Sequence, residues 1–238
     1  MPLIDQSSLH NRLLQRLAAE DFALLAPHLE PTSLHKDDVL FEPGQPFEHA
    51  TFFESGIGSI ITLSSNGWMV EGGLVGREGF TPTALALDVE RSPWRCIVQV
   101  PGQAHRITVD ALRGAMKASP TLHNVLLHFA HAMSVQVSCT ALANTMALIE
   151  ERLARWLLMS HDRVEGDEVA LTHEFLSIML AVRRPSVTIA LHVLEGQGLV
   201  RTRPGLITVT DRRGLEAFAG DTYGRPEAEY ERLLGPLR

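Results

Sequence analysis

Residues 171–213, LTHEFLSIMLAVRRPSVTIALHVLEGQGLVRTRPGLITVTDRR, decide the reading of this chain. Thr172 fits a helix N-cap, with Glu174 in the first turn where a carboxylate suits the positive end of the helix dipole. Phe175, Leu176, Met179 and Leu180 supply a buried face, and Ala181 is small, as a tight turn between packed helices requires. Val182 plugs that turn into the core. Pro185 lacks an N–H, which costs nothing in a first turn and marks a second helix start. Val187, Leu191 and Leu194 recur as an inward stripe until Gly196 and Gly198 end the helix. The outward face then carries Arg183, Arg184, Ser186 and Thr188, with Ile189 and His192 further along. A hairpin follows, with Arg203-Pro204-Gly205-Leu206 fitting a type II turn and Arg201 and Arg203 on one strand face.

The stretch holds six arginines against three acids, while the whole chain is −7. A basic island on an acidic protein implies a polyanionic partner such as duplex DNA. Arginine pairs two-pronged with guanine O6 and N7, and serine and threonine bond phosphate or base. Arg183, Arg184, Ser186, Thr188 and His192 are the candidate readers, and Arg201 and Arg203 are candidates for the phosphate backbone.

Upstream, residues 7–30 have helical apolar spacing, through Leu9, Leu13, Leu17, Phe22 and Leu25. Between 31 and 110, short apolar runs alternate with turn signals (EPGQP, SGIGS, SNG, EGG, PGQ), which predicts an antiparallel sandwich or barrel. Pro120 to His161 reads as one long helix with a bend near Ser138–Ala141. Leu122, Leu126, Phe129, Met133 and Val137 are its candidate dimer face, because a helix apolar around much of its girth must be covered on more than one side.

With 238 residues and 45% hydrophobic content the chain can bury a sizeable core. No uninterrupted apolar run reaches the ~18–20 residues that span a bilayer, and the N-terminus has no secretory pattern, so a cytoplasmic protein is expected. Two cysteines, Cys96 and Cys139, cannot supply a four-cysteine iron–sulfur or zinc site. His123, His128 and His131 share the long helix but make at most a weak metal site, so no metal is expected. No Walker loop, GxSxG, HExxH or dinucleotide fingerprint occurs, and no catalytic residue is assigned; the chain reads as a non-enzyme.

The segments ERLARWLL (151–158), 171–200 and the hairpin to Asp211 resemble the family of the cyclic-AMP receptor protein and the fumarate–nitrate reduction regulator (CRP/FNR). LFEPGQP (40–46) and ESGIGSI (54–60) are similar to its first sensor strands, and the resemblance covers nearly the whole chain. It implies an α+β chain: a β-roll sensor of cyclic-nucleotide-binding type over 1–119, a dimerisation helix and hinge over 120–150, and a winged helix-turn-helix over 151–238. Such proteins are homodimeric transcription regulators acting on two-fold DNA sites, and they often contact RNA polymerase. By resemblance, Gly76, Arg77, Glu78, Arg91, Ser92 and Ser138 stand where a cyclic nucleotide is clamped. Pro93 and Val137 depart from that pattern, and valine offers an adenine no hydrogen bond. The effector is left unassigned. A regulatory module acting through protein contacts, and an effector-independent regulator with a degenerate pocket, are the alternatives. The tail from Gly220 has Tyr223 and Tyr230 to pack it back on the C-terminal domain.

Overall fold

The computed structural model describes residues 4–67 and 69–237. The expected single N-terminal helix is broken into two short ones, α1 (Arg12–Arg16) and α2 (Ala19–Leu25). Asn11 caps α1 by accepting from Leu14 N, while its amide donates to the carbonyls of Phe53 and Gly79, both at 2.8 Å. A buried side chain thereby ties the N-terminus to the sheets with its hydrogen bonds made.

The β region is β1 (Glu30–Leu34), β2 (Val39–Phe41), β3 (His49–Phe53), β4 (Ile57–Leu63), β5 (Met69–Val75), β6 (Phe80–Thr81), β7 (Arg95–Val100) and β8 (Gly102–Thr108). Among the described residues these form two antiparallel four-stranded sheets, ordered β1-β8-β3-β6 and β2-β7-β4-β5. Turn residues at the ends of short alternating strands predicted this roll.

α3 (Val109–Ala118) leads into α4 (Pro120–Met146). Ser119 caps α4, Pro120 opens it, and Asp21 accepts from the Ser119 and Thr121 hydroxyls. α4 runs unbroken through 138–141, where a bend was expected. The Ser138 and Thr140 hydroxyls bond back to carbonyls four residues earlier and leave the helix continuous. The break falls instead at Ala147–Leu148, both extended, where the Glu151 carboxylate accepts from Leu148 N and starts α5 (Ile149–His161). By length and composition α4 is long and apolar enough to cross a membrane, although polar residues interrupt its apolar ones. Here its first half packs on β5, α3 and α9, and its later turns stay uncovered.

The C-terminal unit contains β9 (Glu168–Val169), α6 (His173–Met179), α7 (Arg184–Gly196), β10 (Val200–Arg203), β11 (Leu206–Val209) and α8 (Arg212–Ala219). Its sheet runs β10-β11-β9. The last helix, α9 (Arg225–Leu234), lies on α4, far from where the sequence placed it. Tyr223 does stay with the C-terminal unit, donating to Asp162 and accepting from Arg212. Tyr230, Leu234 and Leu237 instead join the β-roll core. Phe52, Phe80, Phe129 and Tyr230 form a continuous aromatic row with centroids 5.3, 5.6 and 6.3 Å apart, linking β3, β6, α4 and α9. Gly79 permits this, since a Cβ there would stand 1.8 Å from the Phe129 ring.

A second core joins the C-terminal unit to the roll: Ile57, Ile61 and Leu74 of β4 and β5 cluster with Leu153, Trp156, Leu157 and Met179. The winged unit is therefore docked on a sheet face.

Candidate nucleic-acid interface and sensor cavity

Thr172 caps α6 by accepting from Phe175 N at 3.2 Å, and α6 and α7 meet at 102°. The turn between them passes through Ala181 at φ +51°, the left-handed region that residues other than glycine rarely adopt. Leu176, Met179, Val187, Leu191 and Leu194 are buried beneath the pair. Pro185 lies in the first turn of α7, and Gly205 takes φ +73° in the hairpin turn, the left-handed conformation required at the third position of a type II turn.

This scaffold leaves Arg183, Arg184 and His192 exposed, with Ser186 and Thr188 half-buried beside them. Ile189 is 62% exposed on the same face, an apolar group suited to a thymine methyl. Arg184 reaches Glu174, an ion pair exposed at both ends and therefore weak. Arg201 and Arg203 are exposed, while Thr202 between them turns inward to donate to Glu195 at 2.7 Å. Those Thr202 hydrogen bonds hold the Glu195 carboxyl below its ordinary range. His173 is an addition that no sequence signal marked: exposed at the start of α6, its Nδ1 lies 3.2 Å from the Thr188 hydroxyl.

Among the described residues, no hydrogen bond or ion pair joins Gly76, Arg77 or Glu78 to Arg91, Ser92 or Ser138. Glu78 is buried and bound by Arg163, with Nη2 at 2.8 Å and Nε at 2.9 Å, so its carboxylate faces the C-terminal unit. A Cβ at Gly76 would meet that same Arg163 side chain. Arg77 points to Glu165 at 3.7 Å. Arg91 is exposed beside Pro46, Ser92 is buried and accepts from Trp94 N, and Ser138 is exposed on α4. Burial opposes the Arg163 cation, but Glu78, Asp162 and Glu227 outweigh it and hold Arg163 above its usual value. Nothing local in the sequence pointed to Arg163.

A second buried carboxylate lies on the same seam. Glu71 on β5 accepts from Trp156 Nε1 at 3.1 Å and from the Ser59 hydroxyl at 3.0 Å. Burial pushes this carboxyl up to about 8, against the lowering effect of those donors and of Arg155 and Arg163.

An open cavity of about 150 Å³ lies between the β2-β7-β4-β5 sheet and α4, walled by Phe41, Trp94, Met133 and Val137. None of the assigned clamp residues lines it.

Of the five residues expected on the dimer face, Val137 is exposed and the other four are buried. Leu122, Leu126, Phe129 and Met133 are covered by the chain's own roll and tail, being at most 8% exposed. The apolar residues of α4 that stay uncovered lie later: Val137 (41%), Leu142 (50%) and Met146 (77%), followed by Leu148. Helical spacing marks an apolar face without saying which partner covers it. Of the helix histidines, His123 meets the Ala86 carbonyl and His131 the Glu229 carboxylate. Among the described residues no three metal-ligating side chains cluster.

The model of the Crp-like helix-turn-helix domain matches residues 151–218. A CRP/FNR-family protein from Eubacterium rectale, described as a transcriptional regulator, superposes with TM-score 0.67 at 18% identity, over 88% of this chain and 98% of its own. The c-di-GMP-responsive global regulator CLP of Xanthomonas campestris gives 0.65 at 16% identity, over 81% and 99%. A mutant of CooA from Carboxydothermus hydrogenoformans gives 0.62 at 12% identity, over 92% and 98%. Among curated proteins none matches the chain. Residues 151–218 are a Crp-like helix-turn-helix domain, and the chain that carries them has the fold of the CRP/FNR transcription regulators.

Proposed function

We propose that this protein is a cytoplasmic, homodimeric, sequence-specific DNA-binding transcription regulator whose β roll senses a small molecule. One observation carries the DNA-binding reading. At the start of α7 and on β10, Arg183, Arg201 and Arg203 stand exposed with no acidic partner among the described residues. In a chain of net charge −7, unneutralised cations on one surface call for a polyanion.

The α7 N-terminus enters the major groove. Arg184 exchanges its weak pair with Glu174 for guanine, and Arg183, Ser186 and Thr188 take bases and phosphates. His192 extends the same face, while Arg201 and Arg203 grip the flanking backbone. Two copies pair through Val137, Leu142 and Met146, which sets their reading helices one DNA turn apart, ~34 Å. Met133 and Val137 belong both to the cavity wall and to α4, so occupancy of the roll shifts the population of dimer arrangements.

Duplexes selected from a random pool by the full-length protein supply the test. Arg184→Ala should weaken a selected site by about 5- to 150-fold and a scrambled duplex much less. Arg201→Ala should weaken both alike and lower the salt slope by about one unit. A selection that enriches nothing refutes the reading.

A further inference from the structure

The cavity against α4 has a chemistry unlike that of an anion site. Its walls are the side chains of Phe41, Ile60, Trp94, Met133 and Val137, and among the described residues no charged group lines it. The neighbouring arginines are engaged elsewhere or turned away. Arg95 is held by Glu42 through bonds of 2.7–2.9 Å, Arg113 by Asp88 and Glu90, and Arg91 lies exposed outside the lining. A phosphate placed here would lose its water with no cation to replace it.

Size points the same way. A nucleotide- or drug-sized ligand occupies a pocket of roughly 300 Å³ or more, whereas an apolar cavity of about 150 Å³ accommodates a single benzene-sized ring. Three threonines, Thr62, Thr81 and Thr83, interrupt the apolar wall. Thr81 is 1% exposed and belongs to the cavity lining, and its buried hydroxyl oxygen has no hydrogen-bond partner. Its sulfur neighbour, the Cys96 thiol, is at best a weak partner. A buried hydroxyl left unpaired is costly, and a ligand hydroxyl would relieve it.

We propose that this cavity is the effector site, and that it takes a small uncharged ring of the size of a monocyclic aromatic alcohol, oriented by the Thr81 hydroxyl. Trp94, 39% exposed, stands at the mouth, and Met133 and Val137 transmit occupancy to α4. This rests on reading the roll as a sensor and not on the DNA-binding half of that reading.

Calorimetric titration of the full-length protein with phenol, toluene and cyclic AMP, without DNA, is the test. Phenol and toluene should both bind, phenol about 2- to 10-fold more tightly through one added hydrogen bond. Thr81→Val, which keeps the shape and removes the hydroxyl, should erase that difference while toluene binding stays unchanged. Gly72→Leu places bulk at the cavity wall, where a Cβ meets nothing closer than 3.7 Å, and should weaken both rings at least tenfold. Its melting temperature verifies the fold. The proposal is overturned if neither ring binds the wild type, if Gly72→Leu leaves both affinities intact, or if cyclic AMP binds more tightly than phenol. Equal wild-type affinities for phenol and toluene overturn the role of Thr81. Ring binding in a protein that selects no duplex would sink the DNA reading and leave this one standing.

Discussion

The seam between the roll and the winged unit uses arginine in the opposite way to the outer face of that unit. On the seam, Arg163 is 3% exposed and bound to Glu78, and Arg155 is buried, donating to the Thr222 carbonyl and the Thr140 hydroxyl. On the outer face, Arg183, Arg201 and Arg203 stand in solvent without acids. Where arginine is enclosed and its donors are taken up by a carboxylate or by carbonyl and hydroxyl oxygens, it ties the two units together. Where it is solvated and unanswered, it waits for a partner with negative charge. A removal on the seam should therefore change stability, and one on the outer face should change binding.

The largest effect falls on the seam. Arg163→Met leaves Glu78 buried without its cation and should cost about 3–5 kcal/mol in a denaturant titration. Adding Glu78→Gln to that variant should restore more than half of the loss, because the uncompensated charge is then gone. A loss below ~1 kcal/mol for Arg163→Met would erase the distinction between the two settings.

α4 contains the same contrast along its own length. Leu126→Ala in the covered half should destabilise the fold by about 2–5 kcal/mol without changing association. Leu142→Asp in the uncovered half should leave the melting temperature within a few degrees but shift sedimentation from dimer to monomer. A dimer that survives Leu142→Asp moves the interface elsewhere.

The winged unit was legible because its signals are local. A cap, a proline at the helix start and glycines at its end set the elements, and six arginines in one short stretch marked the surface. The β roll followed from its turns. The seam was not legible. Glu78 and Arg163 are 85 residues apart, and neither carries a mark of the other, so Gly76-Arg77-Glu78-Gly79 read as a ligand clamp although Arg163 holds one of its carboxylate oxygens. The apolar cavity lacks any charged motif, and Phe41, Trp94 and Val137 converge only through the fold.

Glu71 sharpens the seam by a different route. Its carboxyl is raised from 4.5 to about 8 by burial, so the folded protein holds the proton more tightly than the unfolded chain. The stabilisation is complete below about 4.5 and is lost as pH rises through about 8. Glu71→Gln keeps an acceptor for Trp156 and carries no charge. It should abolish this part of the pH dependence and raise the melting temperature relative to wild type most at pH 8–9. Parallel melting curves for the two proteins across pH 5–9 would exclude a titrating Glu71.

The smallest effect separates the tail from the winged unit. Tyr230 donates to the Glu78 carbonyl at 2.8 Å and packs edge-on against Phe129, so α9 is part of the roll although it follows the winged unit in sequence. Tyr230→Phe keeps the ring and removes one buried hydrogen bond, which should cost about 1 kcal/mol in a denaturant titration. Burial raises the phenol's pKa, with Glu78 adding to the shift, so the hydroxyl stays protonated as donor throughout the neutral range. Because Glu78 also holds Arg163, the two losses should not add when Tyr230→Phe is combined with Arg163→Met, the double variant losing less than the sum. Affinity for a selected duplex should not change with Tyr230→Phe alone. If it does change, the strand-and-tail core and the reading helix are coupled through Glu78, and the division between a structural seam and a binding face fails at that residue.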